Sequence, residues 1–342
     1  GDYEYSIPFY GKRRPILIDL AQLDDEYLKN NYRNISKLDN IVIAETYVPS
    51  LKGEEHYLVL RATALYDKFG TYIGAIEVIH DITNRVKTLD LIRKQKQDIE
   101  DSIIAAQRIQ KAIFPTKILY PDNFIILKPR NIVSGDFYWF AQKNYNIYIA
   151  AADCTGHGVS GAFLSILGIS YLNTILLEKD IQNTDIMLET LSNLIITNLH
   201  QYSNNSRDSI DIALLSFNKN TFIVEYSGAR NPMYHVSNNK LIEYKATKRS
   251  VGYNFNPVHE NFKTRSLKIN KGDFIYIFTD GFIDQLNENK EKFYSQNFKN
   301  LLLQASNFQS LEKQKNFILK EFDNFKKNTE QTDDVLIIGL KF

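Results

Sequence analysis

Between Asn84 and Ile113 the sequence contains neither Gly nor Pro and is dense in charge. Nothing in that stretch interrupts a helix; the first residue that must end one is Pro115, which lacks a backbone donor and clashes with the preceding turn. Leu89, Ile92, Ile99, Ile103, Ala106 and Ile113 recur along one stripe at helical spacing. Lys96 and Gln110 fall on the same stripe, so the heptad seam is broken. Two packings are open to it, against its own domain or against a second copy as a coiled coil. In both, a long helix over 84–113 separates a smaller module from a larger one. A length of 342 residues agrees with that division, since one domain ordinarily takes about 100 to 200.

Residues 1–83 read as an α/β module. Helical stretches near Ile16 to Lys37 precede strands at Ile41 to Val48, His56 to Tyr66 and Tyr72 to Asp81, with turn signals at Lys52-Gly53 and Lys68-Phe69-Gly70. An antiparallel meander is expected. Residues 114–342 alternate strands and helices. Strands are expected at Phe124 to Lys128, Phe137 to Phe140, Asn146 to Ala152, Ile210 to Asn218, Phe222 to Ser227, Met233 to Val236, Asp273 to Thr279 and Val335 to Leu340. Helices are expected at Val159 to Glu178, Thr184 to Tyr202 and across Phe298 to Lys327. The class is α+β.

Lys plus Arg number 41 against 40 Asp plus Glu, which leaves no global field to hold nucleic acid or an anionic membrane. Nucleic acid is not an expected partner. One cysteine, Cys154, excludes an internal disulfide framework and a cysteine zinc site, and fits a cytoplasmic setting. The longest purely apolar run, Ile147 to Ala152, is far short of a membrane span. A tether upstream of Gly1 stays open.

Four carboxylates sit at strand ends or turns: Asp136 in Ser134-Gly135-Asp136-Phe137, Asp153 in Asp153-Cys154-Thr155-Gly156-His157-Gly158, Asp280 in Thr279-Asp280-Gly281, and Asp333 in Thr332-Asp333-Asp334. Rigid backbone with Gly or a second acid alongside is how oxygen ligands for a hard divalent cation are presented. Taken singly, each is equally well explained by Asx turns. Taken in order, and with Ala105-Ala106-Gln107-Arg108-Ile109-Gln110, Gly161-Ala162-Phe163 and Gly228-Ala229-Arg230-Asn231-Pro232, they make residues 105–342 resemble the SpoIIE-type phosphatases of the metal-dependent protein phosphatase (PPM) superfamily.

That resemblance implies a sandwich of two antiparallel β-sheets flanked by helices, with two divalent ions, Mn²⁺ or Mg²⁺, at one end. It implies that Asp153 bridges them, that the Cys154 backbone carbonyl completes one site, that Asp280 and Asp333 serve the other, and that Asp136 contributes directly or through water. Two close cations activate water for in-line phosphoryl displacement, so no nucleophilic side chain is required. A cysteine phosphatase is not expected, because Ser160 stands where a Cys-x₅-Arg loop needs its arginine. Arg130 and Arg230 either steer the phosphate or are solvated; His157 is either a general acid or a helix-start residue; Asp284 either serves a third metal or has no role. Two departures are local: Leu336 replaces the threonine that usually follows the Asp pair and one further residue, and the usual proline before the glycine is missing from the segment around Lys248 to Gly252.

Residues 1–83 resemble a PAS sensor domain, chiefly through Gly74-Ala75-Ile76-Glu77-Val78-Ile79-His80-Asp81-Ile82-Thr83. No cofactor is expected there. The implied function is a sensor-regulated serine/threonine phosphatase, homodimeric through the linker helix, acting on a phosphorylated signalling protein such as an anti-sigma-factor antagonist. The alternative is a catalytically inactive module that binds a phosphoprotein.

Overall fold

The computed structural model describes residues 2–22, 25–115, 121–203, 206–253 and 260–342, with backbone alone at 20–22. The chain forms two compact units, Gly1–Glu100 and Asp101–Phe342.

In the first unit, α1 (Ile7–Tyr10), a 3-10 segment over Leu17–Gln22 and α2 (Asp25–Asn31) lead into β1 (Arg33–Leu38), β2 (Ile41–Leu51), β3 (Glu54–Tyr66) and β4 (Tyr72–Asp81). The four strands form one antiparallel sheet in sequence order. Ala44 and Val48 of β2 and Leu58, Leu60 and Ala62 of β3 turn to one face, where Leu17, Leu28 and Tyr32 cover them. The helical expectation over Ile16 to Lys37 fails from Arg33 onward. Those residues form the mostly exposed edge strand β1, which pairs with β2 from Arg33↔Glu45 to Leu38↔Ile41. Tertiary pairing overrides weak local propensity there.

The long helix is α3 (Thr83–Ile113). Asp81 starts it, accepting the Thr83 N–H at 2.8 Å and the Thr83 hydroxyl at 2.5 Å. These bonds, together with His56, hold the Asp81 carboxyl down at about 2. The Asp-Ile-Thr exit is therefore a capping device.

The second unit contains, in order, β5 (Asp122–Lys128), β6 (Phe137–Lys143), β7 (Asn146–Cys154), α4 (Val159–Asn173), α5 (Thr184–Asn198), β8 (Ser209–Asn218), β9 (Ile223–Ala229), β10 (Met233–Ser237), β11 (Lys240–Tyr244), β12 (Val251–Gly252), β13 (Arg265–Lys268), β14 (Phe274–Phe278), α6 (Ser295–Ala305), α7 (Leu311–Lys326) and β15 (Val335–Lys341). One antiparallel sheet runs β11-β10-β14-β15-β5, the other β13-β9-β8-β7-β6, with β12 beside β8.

Side-chain alternation assembles these into layers. Ile147, Ile149 and Ala151 of β7 face Ile275 and Ile277 of β14 and Leu336 and Ile338 of β15 between the sheets. Tyr148, Ala150 and Ala152 face the opposite way, under α4 and α5. On the far side of the other sheet, Tyr276, Phe278 and Ile337 pack on Phe298 of α6 and Ile318 and Phe322 of α7. A strand covered on both faces must be apolar throughout, which is why Ile147 to Ala152 reads as a continuous run. Helix α4 with the π turn Thr174–Glu178 is apolar and long enough to cross a membrane by composition. Here Leu164, Ile169, Leu172, Ile175 and Leu176 lie in the core.

The second unit also holds strands the sequence does not announce. β11 and β13 are short edge strands with charged residues, and β12 is only two residues long. Phe298 to Lys327 is two helices, not one. The break lies at 306–310, where Ser310 caps α7 by accepting the Lys313 N–H.

Candidate metal centre

The carboxylates converge because antiparallel strands bring distant residues to one end of the sandwich. Asp153 lies at the end of β7 and pairs directly with Asp211 near the start of β8. Asp136 immediately precedes β6; Asp280 follows β14; Asp333 and Asp334 precede β15. Asp153 feels the charges of Asp280, Asp333, Asp211 and Asp334, and Asp136 those of Asp153, Asp334 and Asp280. All four sequence candidates thus share one electrostatic neighbourhood. Asp211 joins it unannounced: its sequence signal was only its place in a strand pairing with β7.

The adjacent acids Asp333 and Asp334 have separate positions. Asp334 is buried, and its two oxygens accept the main-chain N–H groups of Arg130 and Gly135, each at 2.6 Å. Its lone pairs are committed to holding the loop that ends in Asp136. Asp333 is exposed, with one oxygen accepting the Asp334 N–H at 2.8 Å, and its charge is felt by Asp153. Asp136 is 1% exposed and accepts the Thr279 hydroxyl at 2.6 Å, while that hydroxyl accepts the Leu336 N–H at 2.9 Å. Thr279 therefore ties Asp136 to both β14 and β15.

Close backbone approach demands two of the glycines. A Cβ on Gly281 would lie 1.8 Å from the Asp334 carbonyl oxygen, and one on Gly161 would lie 2.5 Å from that of Gly156. Behind this loop the end of α3 acts as a clamp. The Gln110 side chain, 3% exposed, donates to the Ser134 carbonyl at 2.6 Å and to the Ser165 hydroxyl at 2.9 Å, and accepts the Ser134 N–H at 3.2 Å. Gln107 donates to the Ile132 carbonyl. Gln110 is thus not a flaw in a coiled-coil seam. A buried glutamine is tolerated because its polar groups are satisfied.

Burial is the first cause of every raised carboxyl in the group; repulsion by neighbouring carboxylates comes next for Asp136, Asp153 and Asp280, whereas Asp211 is raised by burial alone against the lowering effects of Ser250 and Arg230. Asp153 is pushed up to about 8 and Asp280 to about 6, Asp136 well above the ordinary value, and Asp333 and Asp211 upward. The Asp211 Oδ1 is buried without a hydrogen-bond partner. Uncompensated buried carboxylates with an oxygen-only donor set fit a hard divalent cation, because its charge removes the cost of their repulsion. Among the described residues, no three His, Cys, Asp or Glu side chains stand together at the spacing of a closed set of ligands.

The remaining candidates lie around this centre. Cys154 is buried and free, and burial with the surrounding carboxylates pushes its thiol well up; that is the reverse of an activated thiolate. Its carbonyl oxygen would be 3.3 Å from a Cβ on Gly135. Arg130 lies near enough to Asp333 to act on it as a positive charge, and His157 Nδ1 lies 3.3 Å from Asn131 Nδ2. Arg230 sits near Asp211. Asp284 raises Asp280 and is itself paired with Lys292 at 2.9 Å.

Two packed antiparallel sheets with helices outside and aspartates gathered at one end are the PP2C-type phosphatase fold. The chain belongs to the SpoIIE family: residues 143–342 match the family model of stage II sporulation protein E. The structure is similar to the SiaA PP2C domain of Pseudomonas aeruginosa, with 24% identity and a TM-score of 0.66 over 72% of this chain and 98% of that one. It is also similar to the PP2C phosphatase domain, with a fragment of the regulatory domain, of SpoIIE from Bacillus subtilis. That match has 12% identity and a TM-score of 0.53 over 91% of this chain and 82% of that one. The RsbU and RsbW domains of a Mycobacterium tuberculosis protein match at 18% identity and a TM-score of 0.51, over 65% of this chain and 60% of that one. At these identities the likeness is one of fold. No curated protein matches the chain significantly.

Proposed function

We propose that the chain hydrolyses phosphoserine or phosphothreonine on a signalling protein, using two divalent cations, Mn²⁺ or Mg²⁺, held by Asp153, Asp280, Asp333, the Cys154 carbonyl and, directly or through water, Asp136. The observation that carries this reading is the convergence of Asp136, Asp153, Asp280 and Asp333 from both sheets onto one electrostatic centre. Cations there would supply the Lewis acidity for in-line attack of water on a phosphoryl group. The chain's own residues have separable tasks. Asp334, Thr279 and Gln110 fix the backbone and carboxylate around Asp136, while Arg130 and Arg230 are placed to attract the phosphate. An inactive phosphoprotein-binding module is disfavoured because none of the four aspartates has been replaced.

Residues 1–83 are read as a PAS-like sensor, supported by an antiparallel sheet covered on one face by short helices. The proposed dimer rests on Leu89, Ile92 and Ile99 of α3, which are 43%, 54% and 61% exposed. An anti-sigma-factor antagonist is the proposed substrate; the family resemblance and the fold shared with an RsbU domain support it. Mapping phosphosites captured by an Asp280→Ala variant from extracts tests the substrate. Enrichment of a phosphoserine or phosphothreonine protein that the parent then dephosphorylates supports the reading. Capture without turnover by the parent favours the inactive module.

A further inference from the structure

A cavity of about 600 Å³ opens beside the carboxylate centre, with Asp211 and Asp280 in its lining. That volume falls within the range of pockets that enclose a whole ligand of several groups, more than one phosphoryl group needs. Pro232, Ala246 and Ile283 give it an apolar lining, and Arg230 and Lys248 line it as well. Both cations are exposed, and among the described residues neither is held in a direct ion pair or side-chain hydrogen bond, Arg230 acting on Asp211 and Lys248 on Glu260 only as nearby charges. A protein with equal numbers of acidic and basic residues, within one, has no general surplus of cations to place there. The other acid in the lining, Glu243, is taken by Lys299 at 2.9 Å.

The backbone bearing the two cations is held from several sides. Arg230 has φ of 59°, a left-handed conformation unfavourable for a side chain, and keeps it while its N–H donates to the Thr247 carbonyl at 2.9 Å. Thr247 donates in turn to the Gly228 carbonyl at 2.9 Å. The residue after Lys248 turns inward: Arg249 is 7% exposed, forks onto Glu189 at 2.9 and 3.2 Å, and lies 4.3 Å above the Phe262 ring. With Thr247 and Arg249 both buried, Lys248 is left pointing outward on a fixed strap. Preorganised charges of this kind impose partner choice.

We propose that this cavity receives the polypeptide segment that carries the phosphorylated residue, and that Arg230 and Lys248 select segments with acidic side chains next to it. The inference rests on the phosphatase reading and adds to it a sequence preference. Apolar contacts with the half-buried Pro232, Ala246 and Ile283 accept the segment without regard to charge, whereas the exposed cations favour Glu or Asp over Lys. Specificity is then a difference between two substrates at one site.

The test compares two phosphothreonine peptides, flanked by glutamates or by lysines, as substrates of the full chain with Mn²⁺, with p-nitrophenyl phosphate as a third substrate. The parent is expected to favour the acidic peptide in kcat/KM by about fivefold to tenfold, the scale of one or two partly exposed charge pairs. The preference should shrink as salt is raised. Lys248→Glu should bring the ratio toward one; Arg230→Gln, at a residue also placed to attract the phosphate, should do so while lowering kcat/KM for all three substrates. A parent ratio near one, or a ratio unchanged in Lys248→Glu, overturns the inference while p-nitrophenyl phosphate turnover leaves the phosphatase reading standing. Failure of the parent to hydrolyse any of the three removes both.

Discussion

Asp334 Oδ2 accepts the main-chain N–H of Gly135 at 2.6 Å, although the two residues are 199 apart in sequence. One carboxylate thereby fastens the loop before β6 to the strand β15 of the opposite sheet, while its neighbour Asp333 stays exposed and acts on Asp153 by its charge.

The two acids should separate experimentally. Asp334→Ala strips the acceptors from two N–H groups, one of them buried, and should cost about 3 kcal/mol, a fall of roughly 6 to 12 °C in melting temperature. Asp333→Ala should change stability by no more than about 0.5 kcal/mol and remove the thermal response to Mn²⁺. Equal losses of stability in the two variants would contradict this division.

Gln110 gives a second separation. A reading of α3 as a coiled-coil seam makes Gln110→Leu a repair that strengthens the helix. The structure predicts the reverse: the Ser134 N–H and carbonyl lose their partner, at a cost of about 2 kcal/mol, and kcat falls because the loop carrying Asp136 is released. Urea unfolding and steady-state kinetics on the full chain decide between them.

Much of the architecture is legible in the sequence because each strand of the sandwich is covered on at least one face, which leaves β-branched and aromatic runs. The strands missed, β1, β11, β12 and β13, are short or at sheet edges, where exposed positions take polar residues and the pattern vanishes. The site is legible to the level of motifs. Which acid of the Asp333-Asp334 pair is spent on the backbone depends on a loop 199 residues away. Asp211 becomes visible only once β8 is known to pair with β7 in the register that sets it against Asp153. Gln110 shows the limit of the pattern, since helical periodicity assigns it to a stripe but leaves packing on its own domain and a surface seam equally open, and only the bonds to Ser134 decide for the first at this position.

The raised carboxyls set a pH dependence. An Asp whose folded value is raised binds more protons in the folded than in the unfolded state, so stability falls as pH rises from the ordinary carboxylate value through the folded one. For Asp280 and Asp153 that window runs from about 4 through 6 and 8 respectively. In chelator, the melting temperature should fall from pH 5 to pH 8, and added Mn²⁺ should raise it more at pH 8 than at pH 5. A Mn²⁺ shift independent of pH would contradict the placement of the cation among these groups.

The central claim is that the carboxylate centre performs hydrolysis through divalent cations, and its most direct test is the rate of p-nitrophenyl phosphate hydrolysis by the full chain titrated with Mn²⁺. The account predicts a rate near zero in chelator, a saturable rise with Mn²⁺, and a loss of at least about a hundredfold in Asp153→Ala in a protein that still melts cooperatively. Full activity in excess chelator, or an Asp153→Ala variant that keeps the parent's rate, would contradict it.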